Sequence, residues 1–210
     1  MVTSETIGHY FPRVTEEQLA QFDRLEALVK EWNDKINVIS RKNTDHIMEQ
    51  HILHSLSIVK LIRFKEGTRV LDVGCGGGFP GLPLAIFFPD VQFHLIDSIA
   101  KKIKVVQNIA EELKLKNVLA EQRNVKDITD KYDFIVSRAV TSFPDFVAMS
   151  EHCVDYENSK NGLPNGIIYL KGGDFKEEIV PFNKRIAVFD ISDNFTEPFF
   201  ETKKIIYLQK

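Results

Sequence analysis

The sequence predicts a doubly wound α/β fold: a mostly parallel, seven-stranded sheet that ends in an antiparallel hairpin and is preceded by a helical cap. Three observations predict it. Arg69 to Gly81, RVLDVGCGGGFPG, reads as a short buried strand running into five glycines within eight residues, followed by a helical segment, Leu82 to Phe88, that Pro89 stops. Strand, glycine loop and helix form the first crossover of such a sheet, and ligands bind at the carboxyl ends of its strands. Four more short apolar runs then alternate with polar or helical stretches, and two closing strands follow with no helix between them.

Residues 1 to 14 are polar and contain Pro12, and are expected to be a loose lead-in. Thr15-Glu16-Glu17-Gln18 is a capping box. Leu19, Phe22, Leu25, Leu28, Val29 and Trp32 then recur at helical spacing. A second helix is expected from the start signal Asn43-Thr44-Asp45, with Met48, Ile52, Leu56, Val59 and Ile62 on one face. These two helices make residues 1–64 an N-terminal cap on a ligand-binding domain over 65–210. Val91 to Asp97 alternates and reads as strand two. The next helix, about 99 to 115, presents Ile99, Ile103, Val106, Ala110 and Leu113 to the sheet, with Ser98 as its cap. Val118 to Gln122 is strand three. Tyr132 to Ser137 is strand four, apolar enough to be buried on both faces. Ser142 and Pro144 open a helix running to about Val154, and 155–166 is a long exposed loop rich in Asn-Gly. Ile167 to Leu170, Arg185 to Ile191 and Ile205 to Gln209 complete the sheet.

Composition narrows the function classes. Apolar content of 43% and charged content of 27% suit a globular domain with a real core. A formal net charge of −3 supplies no global basic field, so contact with nucleic acid must come from local patches. Two cysteines, Cys75 and Cys153, read as free thiols of a reducing compartment. Cys75 fits as a small loop residue, with nucleophile as the alternative. No signal-peptide pattern and no apolar run of membrane-spanning length are present, so a cytoplasmic protein is expected, a monomer by default. His51 and His54 lie three apart on a helix but have no companions at ligand spacing, so no metal site is expected. A face near nucleic acid and plain packing stay open for them.

The ligand of the glycine loop follows from its neighbours. Gly76-x-Gly78-x-x-Gly81 formally matches a dinucleotide fingerprint, and Asp97 lies about 20 residues on. Asp72 would turn negative charge toward a pyrophosphate, however, and Phe79-Pro80 with Pro83 would crowd the helix N-terminus that a phosphate needs. A cofactor bearing a sulfonium and an amino group suits these residues better. The run Asp72-Val-Gly-Cys-Gly-Gly-Gly resembles motif I of the class I S-adenosylmethionine methyltransferases. On that resemblance Asp72, Gly74, Gly76, Gly78 and Phe79 belong to the cofactor side, and backbone at Val125-Lys126 runs along the adenine edge. A carboxylate at Asp97 can accept hydrogen bonds from both ribose hydroxyls. Arg138 closes strand four, where the transferable methyl would sit, and Lys171 lies at the same sheet edge. Lys101, Lys102 and Lys104 start a helix, where cations oppose the dipole. Phosphates of RNA and a solvated charge run both remain open for them.

Further motifs narrow the resemblance. Trp32-Asn33-x-x-Ile36-Asn37, His51-Ile52-Leu53-x-Ser55-Leu56, Gly78-Phe79-Pro80-Gly81-Leu82-Pro83, Leu95-Ile96-Asp97-Ser98 with Lys101-Lys102, Ser137-Arg138-Ala139 and Leu170-Lys171-Gly172 occur in this order. Together they resemble the small-subunit ribosomal RNA guanine-N7 methyltransferase family, also called glucose-inhibited division protein B, over roughly residues 15 to 210. The resemblance implies methyl transfer from S-adenosylmethionine to N7 of one guanine in 16S rRNA. It also implies a cofactor lined by Gly74, Phe79, Val125 and Lys126, with Asp97 on the ribose. Arg138 would bridge cofactor and base, Lys171 would assist it, and Lys101, Lys102, Arg123 and Lys171 would hold RNA. The chain departs from the family pattern at His54, where aspartate is usual, and at Asn124-Val125-Lys126, where an arginine, a small residue and a glutamate are usual. Two other classes stay open: a small-molecule methyltransferase and a non-catalytic RNA-binding module.

Overall fold

The computed structural model describes residues 2–138 and 140–210, the side chains of 41–43 excepted. Asn43 as a helix-start signal and Ala139 of the Ser-Arg-Ala motif therefore lie outside the described residues. Seven strands form one sheet in the order β3-β2-β1-β4-β5-β7-β6. They are β1 (Arg69–Val73), β2 (Gln92–Asp97), β3 (Val118–Gln122), β4 (Phe134–Arg138), β5 (Gly166–Gly172), β6 (Ile186–Asp190) and β7 (Lys203–Gln209). Neighbours are parallel from β3 through β5, and β7 runs antiparallel to both β5 and β6. The expected edge hairpin is present, with the last strand inserted between β5 and β6.

Side-chain alternation divides the core into two layers. Val70, Phe93, Leu95, Phe134, Val136, Ile168 and Leu170 face one layer, where the helices α2 (Glu16–Lys35), α5 (Gly81–Phe87) and α6 (Ala100–Glu112) pack. Leu71, Val73, Ile96, Ile135, Ile167 and Tyr169 face the other, beside α7 (Phe143–Ser150). The N-terminal helices share the first layer with the sheet: Phe22, Leu25, Leu28 and Ile52 belong to the same buried cluster as Val70 and Phe134. Polar contacts fasten the seam. Thr15 and Gln18 form the expected capping box. The Gln18 amide also reaches the carbonyls of Ile86 and Phe87 at 2.8 and 3.1 Å, closing the last turn of α5.

Several expectations need correction. The lead-in contains a helix, α1 (Ser4–Tyr10), whose Ile7 and the following Phe11 are buried. Its two anchors are too few to show a period, and it is held by tertiary contacts such as the Tyr10 hydroxyl on Glu197. The second helix is not one α-helix. A 3₁₀ stretch (Arg41–His46) and a π-helix (Met48–Leu53) precede two short pieces, α3 (His54–Leu56) and α4 (Ile58–Leu61). Ile99 is 43% exposed and Ser98 does not cap α6, whereas Ile103, Val106, Ala110 and Leu113 are buried as expected. A short helix, α8 (Lys176–Ile179), was not foreseen. The 155–166 loop is pinned, with buried Asn165 bonded to the Asp155 carbonyl and Asn161 accepting the Lys65 N–H. Among the described residues no helix is long and apolar enough to cross a membrane.

Because cap and sheet share one core, Leu25→Ala should lower stability by about 2–5 kcal/mol. Trp32 fluorescence, which reports on α2, and far-UV circular dichroism should give coincident urea transitions. Separate transitions would show that the cap unfolds alone.

Candidate active site

A cleft of about 720 Å³ opens at the carboxyl ends of β1, β2 and β4. Its floor is the glycine loop, from Gly74 to Gly77 and Phe79. Asp97, Ile99 and Lys102 form one side, Asn124 to Lys126 another, and Arg138 and His51 a third. Of the expected cofactor residues, Gly74, Gly76, Phe79, Asp97, Val125, Lys126 and Arg138 all line it. Asp72 and Gly78 lie behind it instead.

The loop is built around Asp72. This side chain is wholly buried, and its Oδ2 accepts the Gly81 N–H at 2.7 Å. A Cβ on Gly81 would fall 2.7 Å from that oxygen, so only glycine lets α5 start so close to the strand. Burial lifts the Asp72 carboxyl to about 7, against the opposite pull of the Gly81 hydrogen bond and of Arg138. The N–H that a pyrophosphate would need at the start of α5 is therefore taken, which argues against a dinucleotide. Gly74 is the second demanding position. It sits at φ +70°, and a Cβ there would lie 2.6 Å from a Val140 methyl. Cys75 is buried and its thiol is pushed well up by that burial, so it is a loop residue rather than a nucleophile.

Asp97 ends β2 beside the loop. Its Oδ2 accepts the Gly76 N–H at 3.0 Å and its Oδ1 the Ile99 N–H at 2.9 Å. Asp97 thereby holds the turn into α6, whose N-cap is Ile99 and has no side-chain cap. Each carboxylate oxygen keeps a further lone pair for a ligand hydroxyl. The Ser137 hydroxyl donates to the Val73 carbonyl at 2.7 Å, locking the ends of β4 and β1 together.

Arg138 does not point freely into the cleft. Its Nη1 donates to the Gln50 carbonyl at 2.9 Å and its Nη2 to His51 Nδ1 at 2.6 Å, with the guanidinium 5.5 Å from the Phe79 ring centre. Burial lowers its proton affinity, and the charge of Asp72 opposes that shift. His51 is pulled down to about 3, by burial first and then by Arg138, so it is neutral. His54 is also buried and lowered well below its usual range, mainly by burial, and packs on Phe199 and Phe200. His54 does not line the cleft, and His51 meets it only as a largely buried ring. Among the described residues, no three His, Cys, Asp or Glu side chains gather as a metal-binding group.

The expected basic residues divide. Lys102 and Arg123 line the cleft, and Lys101 is exposed beside it. Lys171 is not at the cleft: its ammonium pairs with Glu178, which also accepts the Phe143 N–H at the start of α7. In that position Lys171 links β5 to the start of α7 through Glu178.

Sequence reasoning missed Val38, Ile39 and Ser40, which line the cleft from the cap. Buried Asn33 holds them there, its Oδ1 accepting the N–H groups of Val38 and Ile39, both at 2.9 Å. The Trp-Asn-x-x-Ile-Asn motif was the available signal, though it gave no role. Asn33→Ala strands two buried donors and should reduce stability by about 2–4 kcal/mol in urea titrations.

The raised Asp72 pKa carries a signed pH dependence. The folded state holds the proton more tightly than the unfolded chain, whose value is 3.8, so this group's contribution falls as pH rises from about 4 to about 7. Asp72→Asn should remove that slope. Urea titrations from pH 4 to 8 should show the wild type losing about 2–4 kcal/mol relative to the variant.

A family model described as rRNA small subunit methyltransferase G matches residues 18–206. The chain is similar to the ribosomal RNA small subunit methyltransferase G of Flavobacterium psychrophilum, at 54% identity over 204 residues and 97% of each chain. It is likewise similar to that of Cytophaga hutchinsonii, at 49% identity over 97% of this chain and 98% of the relative. Among solved structures it is similar to a SAM dependent methyltransferase from Aquifex aeolicus, with a TM-score of 0.57, 17% identity and coverage of 87% and 97%. A chain of a fibrillarin/Nop5p complex gives a TM-score of 0.54 at 13% identity, covering 73% and 78%. These two structural likenesses show a shared fold.

Proposed function

The chain belongs to the rRNA small subunit methyltransferase G family, and from that premise we propose that it methylates N7 of one guanine in 16S rRNA with S-adenosylmethionine. The observation that carries the reading is the convergence of the glycine loop, Asp97 and Arg138 on one cleft. The residues present fit the cofactor: Asp97 has lone pairs left for ribose hydroxyls, Gly76 at φ +57° faces open space, and the buried Nε2 of His51 meets no partner among the described residues. When bound, S-adenosylmethionine supplies an electrophilic methyl on a sulfonium.

In this reading Asp97 holds the ribose, the Gly74–Gly76 backbone faces the amino-acid end, and the backbone of Val125-Lys126 borders the adenine. Guanine N7 carries an unprotonated lone pair, so its attack needs no general base. The raised Asp72 is no candidate for one, since it sits beneath the glycine loop and away from the cleft. What remains for the protein is orientation, which alone can contribute ~7–11 kcal/mol. Arg138 places a fixed positive charge at the transfer position. Lys101, Lys102, Arg123 and Lys126 stand at or beside the rim, where phosphates of the RNA would pass, whereas Lys171 contributes only through its pairing with Glu178. We assign residues 1–64 as the cap and 65–210 as the cofactor domain. We keep a monomer acting in the cytoplasm as the working assignment.

Labelled methyl transfer tests the substrate class. Small ribosomal subunits from a strain lacking the protein should take up label in their RNA, and a metabolite extract should not. Label in the metabolites alone would indicate a small-molecule enzyme. Asp97→Ala should weaken S-adenosylmethionine binding by roughly 10–100-fold in calorimetric titration, about 1.4–2.8 kcal/mol. An unchanged affinity would remove Asp97 from the site.

A further inference from the structure

We propose that His51 and the carbonyl of Gln50 act as a clamp that positions Arg138 for methyl transfer, making the cap helix part of the catalytic machinery. The inference rests on the methyltransferase reading and deepens it. Its basis is a contact across 87 positions of sequence, between the end of the central strand β4 and a π-helix of the cap.

The π-helix explains how Gln50 can take part. In an α-helix the N–H of His54 would bond the carbonyl of Gln50, four residues back. Here it bonds the carbonyls of Glu49 and His51, and the Gln50 carbonyl receives Arg138 Nη1 at 2.9 Å. Widened turns of this kind recur at functional sites.

His51 takes the other half of the guanidinium. A guanidinium only donates, so His51 Nδ1 must accept, which places the ring proton on Nε2. Nε2 is buried, and no partner meets it among the described residues. The ring lies on the cleft wall, 5.1 Å from that of Phe79. The polar geometry on the cap side is therefore set while one nitrogen still lacks a partner, as in a site that a ligand completes.

The consequence for Arg138 is direct. Of its five N–H groups, two are held by the clamp, which fixes the plane of the guanidinium and leaves the others for the cleft. Without the clamp a long side chain would sample several rotamers, and orientation is what this reaction needs. His51 is thus a positioning residue that acts through Arg138.

A double-mutant cycle tests this, read by single-turnover methyl transfer to small subunits and by calorimetric affinity for S-adenosylmethionine. His51→Phe keeps an aromatic ring and loses the acceptor. It should slow transfer about tenfold or more, yet change the rate less than about twofold in an Arg138→Ala background. His51→Asn returns an acceptor near the Nδ1 position and should recover most of the loss. Additive losses, or a His51→Phe enzyme as fast as the wild type, would overturn the clamp. Nitrogen-15 spectra of the wild type at neutral pH need no variant to fold: they should show the His51 proton on Nε2, and a proton on Nδ1 would overturn the proposal. If the wild type binds cofactor but methylates nothing, the functional reading fails, and the nitrogen-15 spectra still decide whether His51 holds Arg138.

Discussion

Asp72 is wholly buried at the carboxyl end of β1, and its hydrogen bond to the Gly81 N–H fixes where α5 begins. Much of the site follows from that constraint. Residue 81 must lack a Cβ, because the carboxylate and the helix start cannot otherwise meet. The buried carboxyl lies in the field of Arg138, and each charge offsets part of the other's desolvation. A group that is costly to bury is therefore offset from two sides, by the glycine loop and by Arg138. The arrangement also withholds from any phosphate the N–H that a dinucleotide fold would offer, which separates this loop from its formal sequence match.

The cleft draws its walls from distant parts of the chain. The glycine loop and Asp97 come from the first two strands, Arg138 from the fourth, and Val38 to Ser40 and His51 from the cap. Two buried polar residues of the cap do the joining. Asn33 folds the segment after α2 onto the loop, and His51 holds Arg138. The helical cap is thus more than a cover over an apolar face. It supplies geometry that a sheet and its crossovers alone would lack, and the shared core explains why it stays in register with the strands.

What was legible in the sequence has a physical pattern. The strands announced themselves through alternation or continuous apolar runs, and β3 matches its expected limits, Val118 to Gln122. Glycines and Asp97 were readable because close backbone approach and a strand-end carboxylate each demand particular residue types. Helix α1 was hidden, since Ile7 and Phe11 give no period and tertiary contacts hold it. The π-helix was equally invisible: its apolar spacing of three and four is that of any helix, and the widened turn shows only where Gln50 meets Arg138. The ion pair of Lys171 was hidden for a related reason. Its place at the sheet edge was read correctly, but its partner Glu178 sits in a short helix that no pattern announced.

The central claim is that this cleft brings guanine N7 of 16S rRNA to a sulfonium methyl. Small subunits from a strain lacking the protein, incubated with it and S-adenosylmethionine, would be treated with borohydride and aniline, which cleave RNA at N7-methylguanine. A single new cleavage in 16S RNA is the predicted result. Methyl incorporation into that RNA without any such cleavage would contradict it, since the methyl would then sit on another atom.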